Sequence, residues 1–480
     1  MLIKNLFLLL IGVFILSSCQ QEERPVEKKK PNIIFLFADD QSFKTIQALG
    51  NSEIKTPTLD KLVESGVTFS NTYNMGGWNG AICIASRTMM NTGRFLWRAK
   101  KWEDQSIKEN LSNQTWGKLM ESAGYQTYMS GKWHLKIKPD SCFQTVSHVR
   151  PGMPKDTKEG YNRPLSESDT TWQPWDKKFG GFWEGGKHWS EVLKEDAVGF
   201  IENASKKEDP FFMYLAFNAP HDPRQSPKKY VDMYPVENIS VPASFQPLYP
   251  NKEEIGCGES LRDERLAPFP RTEYSVKVNR QEYFAIISHM DDQIKQILDA
   301  LEKSGEKDNT YIFFSADHGL ACGEHGLIGK QNMYDHSVRV PLMVIGPDIP
   351  KNKKVEHNIY VQDIMATSLE LAGIDKPAYV EFKSFADLAK GNTQQGNYEE
   401  IFGCYTTVQR MIRKDGYKLI VYPEAKKMLL FDLKNDPEEL KNISEEEEEK
   451  VKSLFQDLLK LQEKMDDELD LKSVFPEMLS

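Results

Sequence analysis

The chain holds 480 residues, enough for one large domain and a smaller one. Hydrophobic residues make up 39% and charged residues 28%, which excludes a disordered or collagen-like chain. A net charge of −10 argues against nucleic acid as a partner, and six cysteines over this length are too few for a disulfide framework.

In chain order, the first feature is Lys4 followed by the apolar run 6–16, too short for a membrane span but suited to the core of an export signal. Leu16-Ser17-Ser18-Cys19 resembles the lipobox of bacterial lipoproteins, whose cysteine becomes the lipidated first residue. Gln20-Gln21-Glu22-Glu23 resembles the acidic surface-export signals of Bacteroidetes lipoproteins. The expectation is a signal peptide at 1–18, lipidation at Cys19 and a solvated tether over 19–30. The resemblance implies a lipid anchor in the outer membrane, at the cell surface or on its periplasmic face.

Apolar runs of strand length follow at 33–37, 127–129, 211–217, 311–314 and 342–345. Leu59, Leu62 and Val63 before Gly66 have helical spacing, as do Ile294, Ile297, Leu298 and Leu301 before Gly305. Unalternating strands separated by helices predict an α/β layered fold with a large, mainly parallel sheet flanked by helices, over 31–386. The Gly-, Pro- and Trp-rich stretch 140–194 reads as a long loop insertion that shapes a cleft. From 387 to 480 the texture changes. Residues 411–422 alternate in strand fashion, 428–432 reads as another strand, and the acidic run 445–449 opens a helix through Leu454, Leu458 and Leu461. The expectation there is a small antiparallel sheet with a helix.

Polar residues fall where four of these strands end. Asp39 and Asp40 follow 33–37, Lys132 and His134 follow 127–129, His221 follows 211–217, and Asp317 and His318 follow 311–314. The carboxyl edge of an open α/β sheet is where ligands bind. Asp39, Asp40 and Asp317 are hard oxygen donors suited to one Ca2+, with Mg2+ as the alternative, and His318 is a fourth candidate ligand. Lys132, Lys330 and Arg87 suit an oxyanion, and His134 and His221 suit proton transfer. Together they point to hydrolysis of a sulfuryl or phosphoryl ester.

The segment Cys83-Ile84-Ala85-Ser86-Arg87, continued by Thr92-Gly93-Arg94, resembles the maturation motif of type I sulfatases. In that family the cysteine is oxidised to formylglycine by a maturing enzyme. Gly131-Lys132-Trp133-His134, Ala219-Pro220-His221, Asp317-His318-Gly319 and Gly329-Lys330 look like further blocks of the same family, in the same order. His318 departs from the asparagine many relatives carry. The resemblance implies an alkaline-phosphatase-like fold, with Cys83 as formylglycine nucleophile and as a ligand beside Asp39, Asp40, Asp317 and His318. It further implies Arg87 stabilising the hydrated aldehyde, Lys132 and Lys330 binding sulfate, His221 protonating the leaving alcohol and binding substrate, and His134 taking a proton. His336 is a further candidate for contact with a substrate sugar.

The implied reaction is removal of sulfate from a sulfated polysaccharide or its oligosaccharides. The string from Asn74 to Ala81 resembles the subgroup with ulvan-active members, so ulvan is the expected substrate, with carrageenan and glycosaminoglycan fragments as alternatives. A phosphodiester or phosphonate monoester hydrolase of the same superfamily, and a non-catalytic glycan-binding lipoprotein, are the competing readings.

Overall fold

The computed structural model describes residues 29–155 and 157–479; the predicted signal peptide, Cys19 and most of the tether lie outside the described residues. The first ten strands are β1 (Asn32–Ala38), β2 (Val67–Tyr73), β3 (Gly76–Gly77), β4 (Gln126–Lys132), β5 (Thr145–Arg150), β6 (Phe211–Ala216), β7 (Thr310–Ala316), β8 (Arg339–Val340), β9 (Leu342–Ile345) and β10 (Lys353–Tyr360). Nine of them form one sheet in the order β10-β2-β9-β7-β1-β6-β4-β5, with β8 also paired to β2. The central strands β1, β6 and β7 are buried along their whole length, as unalternating apolar runs require of strands covered on both faces. β5 is the sheet's edge, and its polar, exposed sequence gave no strand signal within the predicted loop.

The sheet is parallel from β5 through β7, as expected, but β9 runs antiparallel between β7 and β2. The chain leaves β7 at the carboxyl edge and re-enters from that same edge without a crossover helix, so β9 has to run back. The helix Glu273–Lys303 packs along the helix Trp189–Ala204. Sequence periodicity caught only its last turns. Its middle, Tyr283 to Ile287, is buried all round and shows no single apolar face.

The remaining strands are β11 (Glu400–Tyr405), β12 (Gln409–Lys414), β13 (Tyr417–Tyr422) and β14 (Lys427–Asp432). They form an antiparallel sheet in the order β14-β13-β12-β11, completed by β3 alongside β11. The stretch 411–422, expected as one strand, is a hairpin that turns at Asp415 and Gly416, both with positive φ. The helix Glu448–Met465 lays Val451, Leu454, Phe455, Leu458 and Leu461 on this sheet. Each such leucine contributes about 1.5–3 kcal/mol. The same core takes in Ile82, Ala85 and Met89 from the helix Ile82–Thr92, so the C-terminal sheet braces the helix that carries Cys83.

Candidate active site

Register brings the polar residues together. In the sheet Phe37 pairs with Ala216, Ala38 with Ala316 and Gly131 with Ala216, so the residues that follow each emerge at one level. Asp39 N–H donates to the Ala219 carbonyl at 3.0 Å, and Asp317 N–H to that of Ala38 at 3.2 Å, which ties the strand ends below the side chains. Beside Lys132, only glycine fits at position 131. Its φ is +95°, and a Cβ there would lie 1.9 Å from the Ala216 carbonyl oxygen.

Cys83 is the second residue of the helix Ile82–Thr92 and only 2% exposed. Its sulfur lies 3.5 Å from His318 Nε2, 3.7 Å from Asp40 Oδ1 and 3.2 Å from Lys330 Nζ. Arg87, one turn along the same face, donates through Nε to Asp317 Oδ2 at 3.1 Å and through Nη1 to the Lys132 carbonyl at 3.0 Å. Lys132 pairs with Asp39, and Lys330 with Asp40 at 2.9 Å. His221 points Nε2 at Asp40 Oδ2, 3.7 Å away. His134 is half-buried, its ring against Gly152. Asp40 and His134 both hold positive φ, at 69° and 65°, a conformation that costs a non-glycine residue energy and clusters at functional sites.

The electrostatics follow from this packing. Burial pushes the Cys83 thiol up, but Lys132, Lys330 and hydrogen bonds from His134 and His221 outweigh it and hold the thiol well below its ordinary value. Burial, followed by repulsion from Asp317 and Cys83, raises the Asp39 carboxyl. Burial lowers His134 to about 4, so its ring is neutral near pH 7.

The carboxylates among these residues fit a hard divalent cation, with the Cys83 sulfur standing where an oxygen of the oxidised residue would sit. One ligand atom each from Asp40, Cys83, Asp317 and His318 lies within 4.8 Å of the others, and Asp39 Oδ1 is buried with no hydrogen-bond partner. The structure thus gathers Asp39, Asp40, Cys83, Arg87, Lys132, His134, His221, Asp317, His318 and Lys330 into one cluster.

His336 stands apart from it. Its ring stacks on Tyr334 at 5.6 Å and lines a different cavity, of about 610 Å3, together with Ser42 and Arg280. Several participants went unread in the sequence. Asp222 lies 3.0 Å from His221 Nδ1, Asp263 3.9 Å from Lys330 Nζ, and Arg262 touches both carboxylates. Only Asp222 carried a signal, as the immediate neighbour of His221. Cys142, Cys257, Cys322 and Cys404 are all buried and free.

A family model described as Sulfatase matches residues 31–374. The chain belongs to the sulfatase family. A second model, described as N-sulphoglucosamine sulphohydrolase, C-terminal, matches residues 323–466 of this sulfatase. A sulfatase from Formosa agariphila is 28% identical to it, over 91% of this chain and 88% of its own length. An N-acetylglucosamine-6-O-sulfatase from Bacteroides thetaiotaomicron is 26% identical, over 96% of this chain and 91% of its own. A solved structure in complex with its substrate D-glucosamine-2-N,6-O-disulfate shares the fold, with a TM-score of 0.71 at 23% identity over 92% of this chain and 100% of that one. The sulfatase is a sulfuric ester hydrolase with the alkaline-phosphatase-like α/β fold.

Proposed function

We propose that this sulfatase hydrolyses sulfate esters of a sulfated polysaccharide or its oligosaccharides, with Cys83, oxidised to formylglycine, as the nucleophile. The observation that carries the reading is the buried Cys83 ringed at 3.2–3.7 Å by Lys330, His318 and Asp40. Asp39, Asp40, Asp317, His318 and residue 83 would hold Ca2+, or Mg2+ in its place; bound there, the cation would supply Lewis-acid polarisation, and the hydrated aldehyde an attacking oxygen. Arg87 steadies that oxygen pair from one helical turn away. Lys132 and Lys330 bind the sulfate oxygens and offset the charge that grows as the S–O bond breaks. His221 delivers a proton through Nε2 to the departing alcohol oxygen, which leaves badly as an alkoxide. His134, neutral near pH 7, accepts the proton released at residue 83.

The substrate reading rests on a cavity of about 740 Å3 that opens beside His134. Trp78 lines it, with Lys100, Lys136, Lys138 and Arg150 against Glu103 and Asp104, the last paired with Lys100 and Lys136 at 2.7 Å. The half-buried Trp78 and an excess of cations over carboxylates in the lining, on a chain of net charge −10, suit an anionic saccharide. Trp78 and Asn79 belong to the string from Asn74 to Ala81 whose pattern resembles ulvan-active sulfatases, which puts ulvan first. The second reading is a glycosaminoglycan fragment, favoured by the relatives that act on glucosamine sulfates.

Sulfate release measured by ion chromatography tests both, using protein co-expressed with a maturing enzyme and checked by peptide mass at Cys83. Release from ulvan fragments alone supports the first reading, and release from glycosaminoglycan fragments the second. A Cys83→Ala protein with wild-type turnover, or preference for phosphodiesters over every sulfate ester, overturns the proposal. The lipid anchor at Cys19 is part of the same proposal. No helix among the described residues is long and apolar enough to cross a membrane. Labelled palmitate in the wild type and not in Cys19→Ala is the expected result.

A further inference from the structure

Behind His221 and Lys330 lies a second set of charges that the reaction scheme leaves unused. Asp222 and Asp263 are 3% and 5% exposed, and they come from different parts of the chain. Asp222 Oδ1 lies 3.0 Å from His221 Nδ1, and its Oδ2 accepts from Tyr161 Oη at 2.7 Å. Tyr161 belongs to the irregular insertion between β5 and the helix Trp189–Ala204. Asp263 Oδ2 lies 3.9 Å from Lys330 Nζ and accepts from Gln331 Nε2 at 2.8 Å. Arg262 spans the two carboxylates: its Nη2 is 2.6 Å from Asp263 Oδ1 and 3.4 Å from Asp222 Oδ1. Gln331 extends the set in the other direction. Its Oε1 accepts from Lys330 N–H at 3.0 Å, and its Nε2 donates to the Gly80 carbonyl at 3.0 Å, three residues before Cys83.

We propose that Arg262, with Asp222 and Asp263, is a positioning frame that sets the spacing between His221, Lys330 and residue 83. The proposal rests on the reading of His221 as proton donor to the leaving oxygen. Two desolvated carboxylates are a poor way to stabilise a fold, since buried ion pairs replaced by apolar groups often cost nothing. They are a good way to fix geometry. His221 follows β6 and Lys330 lies in the loop after β7; Arg262 joins those two loops from a third segment. One guanidinium nitrogen, Nη2, reaches both carboxylates and so sets their separation. The His221 imidazole is held at Nδ1 by the Asp222 carbonyl at 2.8 Å and has Asp222 Oδ1 beside it at 3.0 Å, so that Nε2 is aimed at the reacting pole. A misplacement of about 1 Å at such a group can cost about 10²-fold in rate.

The test uses full-length, matured protein and a series of substituted phenyl sulfates of rising phenol pKa. Wild type, His221→Ala, Asp222→Ala, Asp222→Asn and Arg262→Met are compared, with conversion at Cys83 and thermal midpoint checked for each. A lost proton donor hurts poor leaving groups most. Asp222→Ala and Arg262→Met are therefore expected to lose about 10²-fold in kcat on the least acidic phenol and less than about fivefold on 4-nitrophenyl sulfate. Asp222→Asn, which keeps a side-chain oxygen beside Nδ1 and Arg262, is expected to recover most of that loss without a change in KM. Equal losses across the series in Asp222→Asn and Arg262→Met would mean a structural role and overturn the frame. His221→Ala separates the two levels. If it shows no leaving-group dependence, the proton-donor reading falls and the frame with it; if it does and Asp222→Ala does not, the frame alone falls.

Discussion

The ammonium nitrogen of Lys330 lies 3.2 Å from the sulfur of Cys83. Burial disfavours the charged amine, but Asp40, Cys83 and Asp263 outweigh it and hold Lys330 well above the ordinary lysine value. A permanent cation thus stands beside the atom where sulfate is expected to be attacked. Lys330→Met is expected to lower kcat/KM on sulfate esters by about 10²–10³-fold. Steady-state kinetics on 4-nitrophenyl sulfate check it, and a loss under tenfold would remove Lys330 from sulfate binding.

Asp39, Asp40 and Asp317 are buried together, and Asp39 Oδ1 lacks a hydrogen-bond partner. A chelator is expected to abolish sulfate release and lower the melting temperature, and added Ca2+ to restore both. At a hundredfold excess over its dissociation constant, the cation should add about 2.7 kcal/mol of stability. Calorimetry with and without chelator reads this, and Asp317→Asn should flatten the difference.

Lys418 on β13 is fully buried between Asp335, at the start of the short helix Asp335–Val338, and Glu439, 2.7 Å away. Lys418→Met keeps the volume and removes the cation that the buried Asp335 and Glu439 share. The expected loss is about 3–5 kcal/mol in urea unfolding. Lys418→Met with Asp335→Asn and Glu439→Gln should regain most of it.

His325 stacks on Tyr334 with ring centroids 4.0 Å apart. Burial, opposed by Asp436 and aided by Lys418, lowers it to about 4. The unfolded imidazole titrates near 6.5. Between these values the unfolded chain binds a proton that the folded chain refuses, so stability rises with pH there. The contribution is present in full above pH 6.5 and lost as pH falls through 4, at most about 3 kcal/mol. His325→Phe keeps a ring on Tyr334 without a titrating group, so its stability should fall less than the wild type's between pH 7 and pH 4.5.

Asp39, Asp40, Lys132, Asp317 and His318 were legible because each directly follows, or ends, a run buried on both sheet faces. There a polar residue has one place to go, the carboxyl edge. Arg262 and Asp263 were not legible, because they lie in an irregular segment whose spacing carries no period. The strands β5 and β10 were missed at the sheet's two edges, where exposed polar residues erase the apolar run. The antiparallel course of β9 depends on which edge the chain re-enters from, a matter of path rather than of local residue preference.

The two-residue strand β3 fixes an order of events. Gly76 lies so close to Cys404 that a Cβ would meet its carbonyl oxygen at 1.9 Å, so part of the packing of the segment leading to Cys83 waits for β11. β11 is synthesised roughly 320 residues after Cys83, which at about 5–20 residues per second takes about 16–64 seconds. An enzyme that oxidises Cys83 meets a thiol that is 2% exposed once the fold has closed. Under the proposed maturation, its working interval would end when that fold closes. A C-terminal truncation that removes β11 would leave that door open, and a circular permutation that supplies β11 first would shut it early.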